Sequence, residues 1–168
     1  MAAYPSTTLG VLGVSTLSVL PPLNYFASVY SSTSQTVAGA NTATNAKWET
    51  TSINAGGFVV GQSTIAVPVA GTYDVQVSFQ FATTSGGTNK AQFWILKNGT
   101  AIPQTNSIVS IVNNGDTLGN INIFDTAAAG DRYGWQFYSA DNNMTATATA
   151  AGATPAIPSV IVNIRRLG

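Results

Sequence analysis

The chain contains no cysteine and no histidine. Without cysteine there is no disulfide framework, no thiolate metal site and no thiol nucleophile, and the redox compartment is left open. Without histidine the commonest metal ligand and the commonest general base near neutral pH are both missing. That argues against zinc chemistry, serine–histidine hydrolysis and most acid–base catalysis. Charge is scarce too: Asp, Glu, Lys and Arg make up 7% of positions, and six basic groups balance six acidic ones. So few cations supply no phosphate-neutralising patch, so neither nucleic acid nor an anionic membrane surface is an expected partner. Long apolar runs are also missing. The segment carrying Leu9, Val11, Leu12, Val14, Leu17, Val19 and Leu20 is interrupted by Ser15, Thr16 and Ser18 and ends at Pro21-Pro22. It is too short and broken to span a bilayer and lacks the basic start of a secretory signal, so no targeting segment and no membrane insertion are expected.

What remains is 168 residues of hydroxyl- and amide-rich chain, with 22 Thr and 15 Ser. The length corresponds to one domain, able to bury roughly two thirds of its unfolded surface without a metal or disulfide staple. A net charge of zero favours association, so much of the surface is expected to lie against copies or partners.

The carboxylates give little to work with. A glycosidase needs two carboxyl groups about 5–10 Å apart across a cleft. Asp125 and Asp131 are the nearest such pair, but Asp131 follows Gly130 at a turn, where Asp ordinarily serves the backbone. The loops Asn113 to Asp116 and Asp141 to Asn143 offer oxygen ligands hard enough for calcium, without the carboxylate density of a dedicated site. Both read as Asx turns. The chain is accordingly not read as an enzyme, and no cofactor or metal is expected. The sequons at Asn98 and Asn143 are triplets common by chance in so Asn- and Thr-rich a sequence.

From residue 24 onward the dominant period is two. Tyr73, Val75, Val77, Phe79 and Phe81 alternate with Asp74, Gln76, Ser78 and Gln80, and Tyr133, Trp135 and Phe137 alternate with Gly134, Gln136 and Tyr138. These are half-buried strands, and the eight apolar members are the expected core. Shorter strands are expected over 25–30, 58–60, 64–69, 92–97, 107–112, 118–124, 144–148 and 159–164. Turn residues sit between them, and Asn98-Gly99 between two strand-like runs predicts a tight type I′ hairpin. No stretch shows helical periodicity; the alanine-rich run at 144–151 carries Thr145, Thr147 and Thr149 at period two. The pattern predicts an all-β chain: a single antiparallel jelly-roll β-sandwich of two four-stranded sheets over 24–168, preceded by an extended apolar arm, 1–23.

The run Val67-Pro68-Val69-Ala70-Gly71-Thr72-Tyr73-Asp74-Val75-Gln76-Val77 resembles the stretch opening the third strand of complement/tumour-necrosis-factor-like jelly rolls. Phe93-Trp94-Ile95-Leu96-Lys97-Asn98-Gly99 looks like that family's next hairpin. Thr154 through Val162 is similar to its terminal strand, and more specifically to domains of structural proteins in tailed phages and large algal viruses. The resemblance implies a jelly roll and, for complement-type relatives, trimers; at an icosahedral vertex a jelly roll would be a pentamer. Immune ligand recognition is not carried over, because the Gly-X-Y stalk of the vertebrate complement members is missing.

Two strands break the alternation. Phe93, Trp94, Ile95 and Leu96 are consecutively apolar, as are Val160, Ile161 and Val162. Both faces of these strands are expected to be covered, one by the core and one by a neighbouring subunit or a loop. With Arg165 and Arg166, which suit a salt bridge across a subunit boundary, they form the expected interface of a homo-oligomer. The seven apolar arm residues are expected to dock on other capsid proteins. The resulting reading is a virion structural protein, a capsid component at a vertex, in a minor position or as decoration; the alternative is a receptor- or glycan-binding tip of a tail fibre.

Overall fold

The computed structural model describes residues 25–84 and 86–168, so the arm residues Leu9, Val11, Leu12, Val14, Leu17, Val19 and Leu20 lie outside the described residues. Strands in chain order are β1 (Phe26–Ser31), β2 (Gln35–Thr36), β3 (Thr44–Asn45), β4 (Thr50–Ala55), β5 (Val59–Val60), β6 (Thr64–Ala66) and β7 (Gly71–Thr83). They continue with β8 (Asn89–Lys97), β9 (Thr100–Ala101), β10 (Ser107–Ile111), β11 (Asp116–Ala127), β12 (Arg132–Ser139), β13 (Met144–Ala146) and β14 (Val160–Arg166). Every strand expected from the alternation is present.

The two sheets are antiparallel, and each is built on four principal strands. The first runs β11-β7-β14-β1, with β4 beyond β1 and the short β13 and β2 continuing the far end of β7. The second runs β10-β8-β12-β6, with β5 beyond β6 and the two-residue β9 and β3 on β8 and β12. The two sets of four are those of a jelly roll, widened by edge pieces.

All eight expected core side chains are buried. Because side chains alternate across a strand, the odd positions of β7 and β12 face one another between the sheets. Phe79 and Phe81 of the first sheet stack at 5.1 Å and meet Phe93 and Phe137 of the second at 5.5–6.1 Å. Trp135 sits edge-on to Trp48 at 5.6 Å. The resemblance motif also has a physical reason: the Tyr73 hydroxyl donates to the carbonyl of Val69 at 2.6 Å, tying the start of β7 to the loop that feeds it. Asn98 and Gly99 have φ of 52° and 82°, both left-handed as the type I′ hairpin requires.

Candidate functional site

The nine residues expected at a subunit interface fall in three places. Phe93, Ile95, Val160 and Val162 are fully buried inside the domain and present no surface. Their neighbours take the opposite parity: Trp94 and Leu96 lie half-buried on the outer face of the second sheet, and Ile161 half-buried on the outer face of the first, beside an exposed Arg165. Arg166 returns to the inner parity at the strand end. It donates from Nε to the carbonyl of Ala70 at 3.2 Å, and its guanidinium carbon stands 5.7 Å from the Tyr25 ring centroid. The two apolar strands belong to different sheets, so their outward residues do not merge into one patch.

The outer face of the first sheet is a continuous surface. Register sets Phe124, Asp74, Arg165 and Phe26 in one row, and Asn122, Gln76, Asn163, Ser28 and Ile53 in the next. Asn120, Ser78, Ile161 and Tyr30 follow, then Leu118 and Gln80. Amides and hydroxyls fill the middle, with apolar groups around them.

Asp74 looks outward by parity yet is only 3% exposed. A buried carboxylate needs a counter-charge and hydrogen bonds, and this one has both. Arg165 Nε lies 3.0 Å from Oδ2, Asn122 Nδ2 donates to Oδ1 at 2.5 Å, and Gln76 Nε2 approaches both oxygens at 3.3 and 3.4 Å. Arg165 is the cross-strand partner of Asp74, so the pair closes within one chain. The face is left without net charge at its centre.

Of its apolar members, sequence singled out Ile161 and missed Leu118 and Phe124. β11 is a twelve-residue strand whose main ladder is with β7; near its two ends Thr117 Oγ1 donates to the Ser110 carbonyl and Lys97 Nζ to the Thr126 carbonyl, and among the described residues no second strand pairs with the stretch between. Leu118 and Phe124 on this edge strand are 55% and 68% exposed. The available signal was apolar residues on both parities, Leu118 and Phe124 against Ile121 and Ile123.

The Asp125 and Asp131 carboxylates are engaged in holding loops. Lys97 Nζ lies 3.1 Å from Asp125 Oδ2 and 3.7 Å from Asp131 Oδ2, and the Tyr133 hydroxyl donates to Asp125 at 2.6 Å. Burial pushes the Tyr133 phenol far above its ordinary range, and the hydrogen bond to Asp125 adds to the shift. Asp131 accepts from Asn98 Nδ2 and from the Ala128 N–H, both at 2.9 Å, which hold its carboxyl below the usual range. In the other oxygen-rich loop, Asp141 Oδ1 accepts from the Asn143 N–H at 3.0 Å, an Asx turn.

No protein-family model and no curated protein sequence matches the chain. Solved structures do. The crystal structure of murine APRIL at pH 5.0 aligns with a TM-score of 0.59 and 10% identity, over 86% of this chain and 99% of that one. The structure at pH 8.0 aligns at 0.58 and 11% over the same shares. At such identities the likeness is one of architecture, and the architecture is a tumour-necrosis-factor-like jelly roll.

Proposed function

We propose that the chain is a non-enzymatic structural subunit that assembles through the outer face of its first sheet into a closed homo-oligomer and serves as a capsid component of a virus particle. The observation that carries the assembly reading is the β11 edge: a long open strand flanked by the exposed Leu118 and Phe124 beside a face whose central charge is internally paired. An open, apolar edge strand is a template for association unless something covers it. Burying Leu118 and Phe124 contributes about 1.5–3 kcal/mol each before ordering costs. A closed ring covers that edge on every copy and leaves none exposed. Three subunits is the number the complement-type resemblance implies; five is the vertex alternative. The virion reading is supported by the resemblance of the terminal strand and by a composition poor in catalytic groups. The apolar arm, 1–23, is assigned to contacts with other capsid proteins.

The test is sedimentation velocity on the chain and on Phe124→Asp. The wild type is expected at three or five times the 17.3 kDa protomer mass, and the variant as a folded monomer, since a substitution at so exposed a site changes stability little. A monomeric wild type at micromolar concentration, or an oligomeric variant, overturns the assembly reading. Immunogold labelling of purified particles tests the location: label at vertices supports the capsid, and label confined to the tail supports the rival tip reading. The rival has an observation of its own, the cleft around Trp94.

A further inference from the structure

The outer face of the second sheet, opposite the assembly face, carries an open cleft of about 570 Å³ where the β9–β10 loop folds over β8. Its walls are of two kinds only. Trp94, Ile102, Pro103 and the Tyr138 ring are apolar, and Gln92, Gln104 and Asn106 end in carboxamides. No charged side chain lines it.

We infer that this cleft binds a neutral carbohydrate. The proposal deepens the tip reading and is independent of how the subunit assembles. A pyranose presents an apolar C–H face and a rim of hydroxyls, each both donor and acceptor. An aromatic wall with a few placed polar groups is what a site for such a ligand requires. Each carboxamide supplies a donor and an acceptor. An anionic sugar would find no cation here, and a cationic ligand no carboxylate.

The polar groups are positioned and have capacity left. Asn106 Nδ2 donates to Gln92 Oε1 at 2.9 Å, and Tyr138 is anchored by its hydroxyl on Asn41 Oδ1 at 2.6 Å. The remaining Asn106 and Gln92 amide atoms, the Gln104 amide and the Trp94 indole N–H take no hydrogen-bond partner among the described residues. By contrast, the larger hollow of about 840 Å³ beside Trp48 is lined by the charged Lys47 and Glu49. There Glu49 accepts from Ser32, and Gln35 is bonded to the Lys47 backbone through both amide atoms.

The loop is built to hold one shape. Buried Thr105 accepts from the Ile95 N–H at 3.2 Å and donates to the Ile102 carbonyl at 2.8 Å, pinning the turn Ile102-Pro103-Gln104-Thr105 to β8. Pro103 precedes Gln104, whose φ is +63°. That left-handed third position of a type II turn favours Gly or Asn. A glutamine is held there against its backbone preference, on the rim of the cleft. Strain of this kind gathers at ligand clamps.

The experiment is an array of neutral and sialylated oligosaccharides probed with the full chain. Affinities of the chain and its variants for positive glycans are then measured by titration calorimetry, and acrylamide quenching of tryptophan is followed in the wild-type chain. Trp48 and Trp135 are 4% and 1% exposed, so quenchable emission reports Trp94. Neutral glycans should bind and shield Trp94. Trp94→Ala should weaken binding at least tenfold, Asn106→Ala several-fold, and Gln104→Gly several-fold while raising the thermal midpoint. The Gln104→Gly pairing of lower affinity with higher stability separates a ligand role from a structural one. Binding of sialylated glycans alone, no binding on the array, or affinity unchanged in Trp94→Ala and Asn106→Ala overturns the proposal. So does shielding of Trp94 that is already present without glycan and disappears on deletion of residues 1–20, which would assign the cleft to the arm. A failure here leaves the sedimentation result intact, and the reverse.

Discussion

Gly119 gives the sharpest test of how the two sheets meet. It sits on the inner parity of β11, opposite Phe79 of β7, and a Cβ placed there would lie 2.7 and 2.8 Å from the Cζ and Cε1 of Phe93 and 3.1 Å from Cε2 of Phe81. Carbon atoms prefer about 3.5–4.0 Å, so Gly119→Ala forces a displacement of most of an ångström. The Phe93 ring cannot simply retreat, because Phe79 and Phe81 lie at 5.6 and 5.5 Å from it. Overpacking of a filled core costs about 1–3 kcal/mol, and the open edge of β11, which lets the strand give outward, argues for the lower half of that range. Phe93→Leu makes room, at a cost well below the 3–5 kcal/mol of truncating a buried Phe to Ala. The double variant should therefore recover about 1 kcal/mol relative to the sum of the single changes, within the coupling range for residues in contact. Urea unfolding at fixed protomer concentration, followed by circular dichroism, measures all four corners of the cycle. A Gly119→Ala chain within about 0.5 kcal/mol of wild type, or strict additivity in the double variant, would refute the packing argument.

Alkaline stability should fall earlier than a chain with so few titrating groups would suggest. Burial raises the Tyr133 and Tyr73 phenols above their ordinary value of 10.0. The stability tied to each is thus fully present below about pH 10 and is lost as pH rises, because the unfolded chain then sheds protons that the fold retains. Urea midpoints from pH 8 to 11 should decline in wild type and more shallowly in Tyr133→Phe; equal slopes would contradict the assignment. Arg165→Ala should cost about 1–3 kcal/mol, because among the described residues it removes the only cation paired with a nearly buried carboxylate. Thermal and urea unfolding read the loss, and a change under about 0.5 kcal/mol would mean that Asn122 and Gln76 alone satisfy Asp74.

What could be read from the chain depended on burial of one face. β7 and β12 announce themselves because every second side chain enters the core. β4, with the sequence Thr50-Thr51-Ser52-Ile53-Asn54-Ala55, was not anticipated: no residue of it is buried, so no alternation is written. The two-residue strands β2, β3 and β9 are too short to carry any period. The same limit governed the site. Consecutive apolar residues marked β8 and β14 as strands with apolar side chains on both faces, but their outward residues separate only once β8 is known to lie in one sheet and β14 in the other. Asp74 and Arg165 stand 91 residues apart in sequence and become partners through register alone.

The two surfaces are compatible because they are on opposite sides of the sandwich. Packed sheets lie roughly 10 Å apart, so a subunit that turns the outer face of its first sheet toward a symmetry axis must turn the outer face of its second sheet, and with it the Trp94 cleft, away from that axis. Each copy then contributes one outward cleft at a fixed spacing. An open, uncharged cleft with three carboxamides gains little per site, since each hydrogen bond to a sugar replaces one to water. Multiplied around a ring facing a densely glycosylated surface, weak sites gain about 10²–10⁴ in avidity without a new contact. The scarcity of charge fits both proposals: it removes self-repulsion at the proposed subunit interface and matches the carboxamide-lined cleft to the uncharged ligands proposed for it.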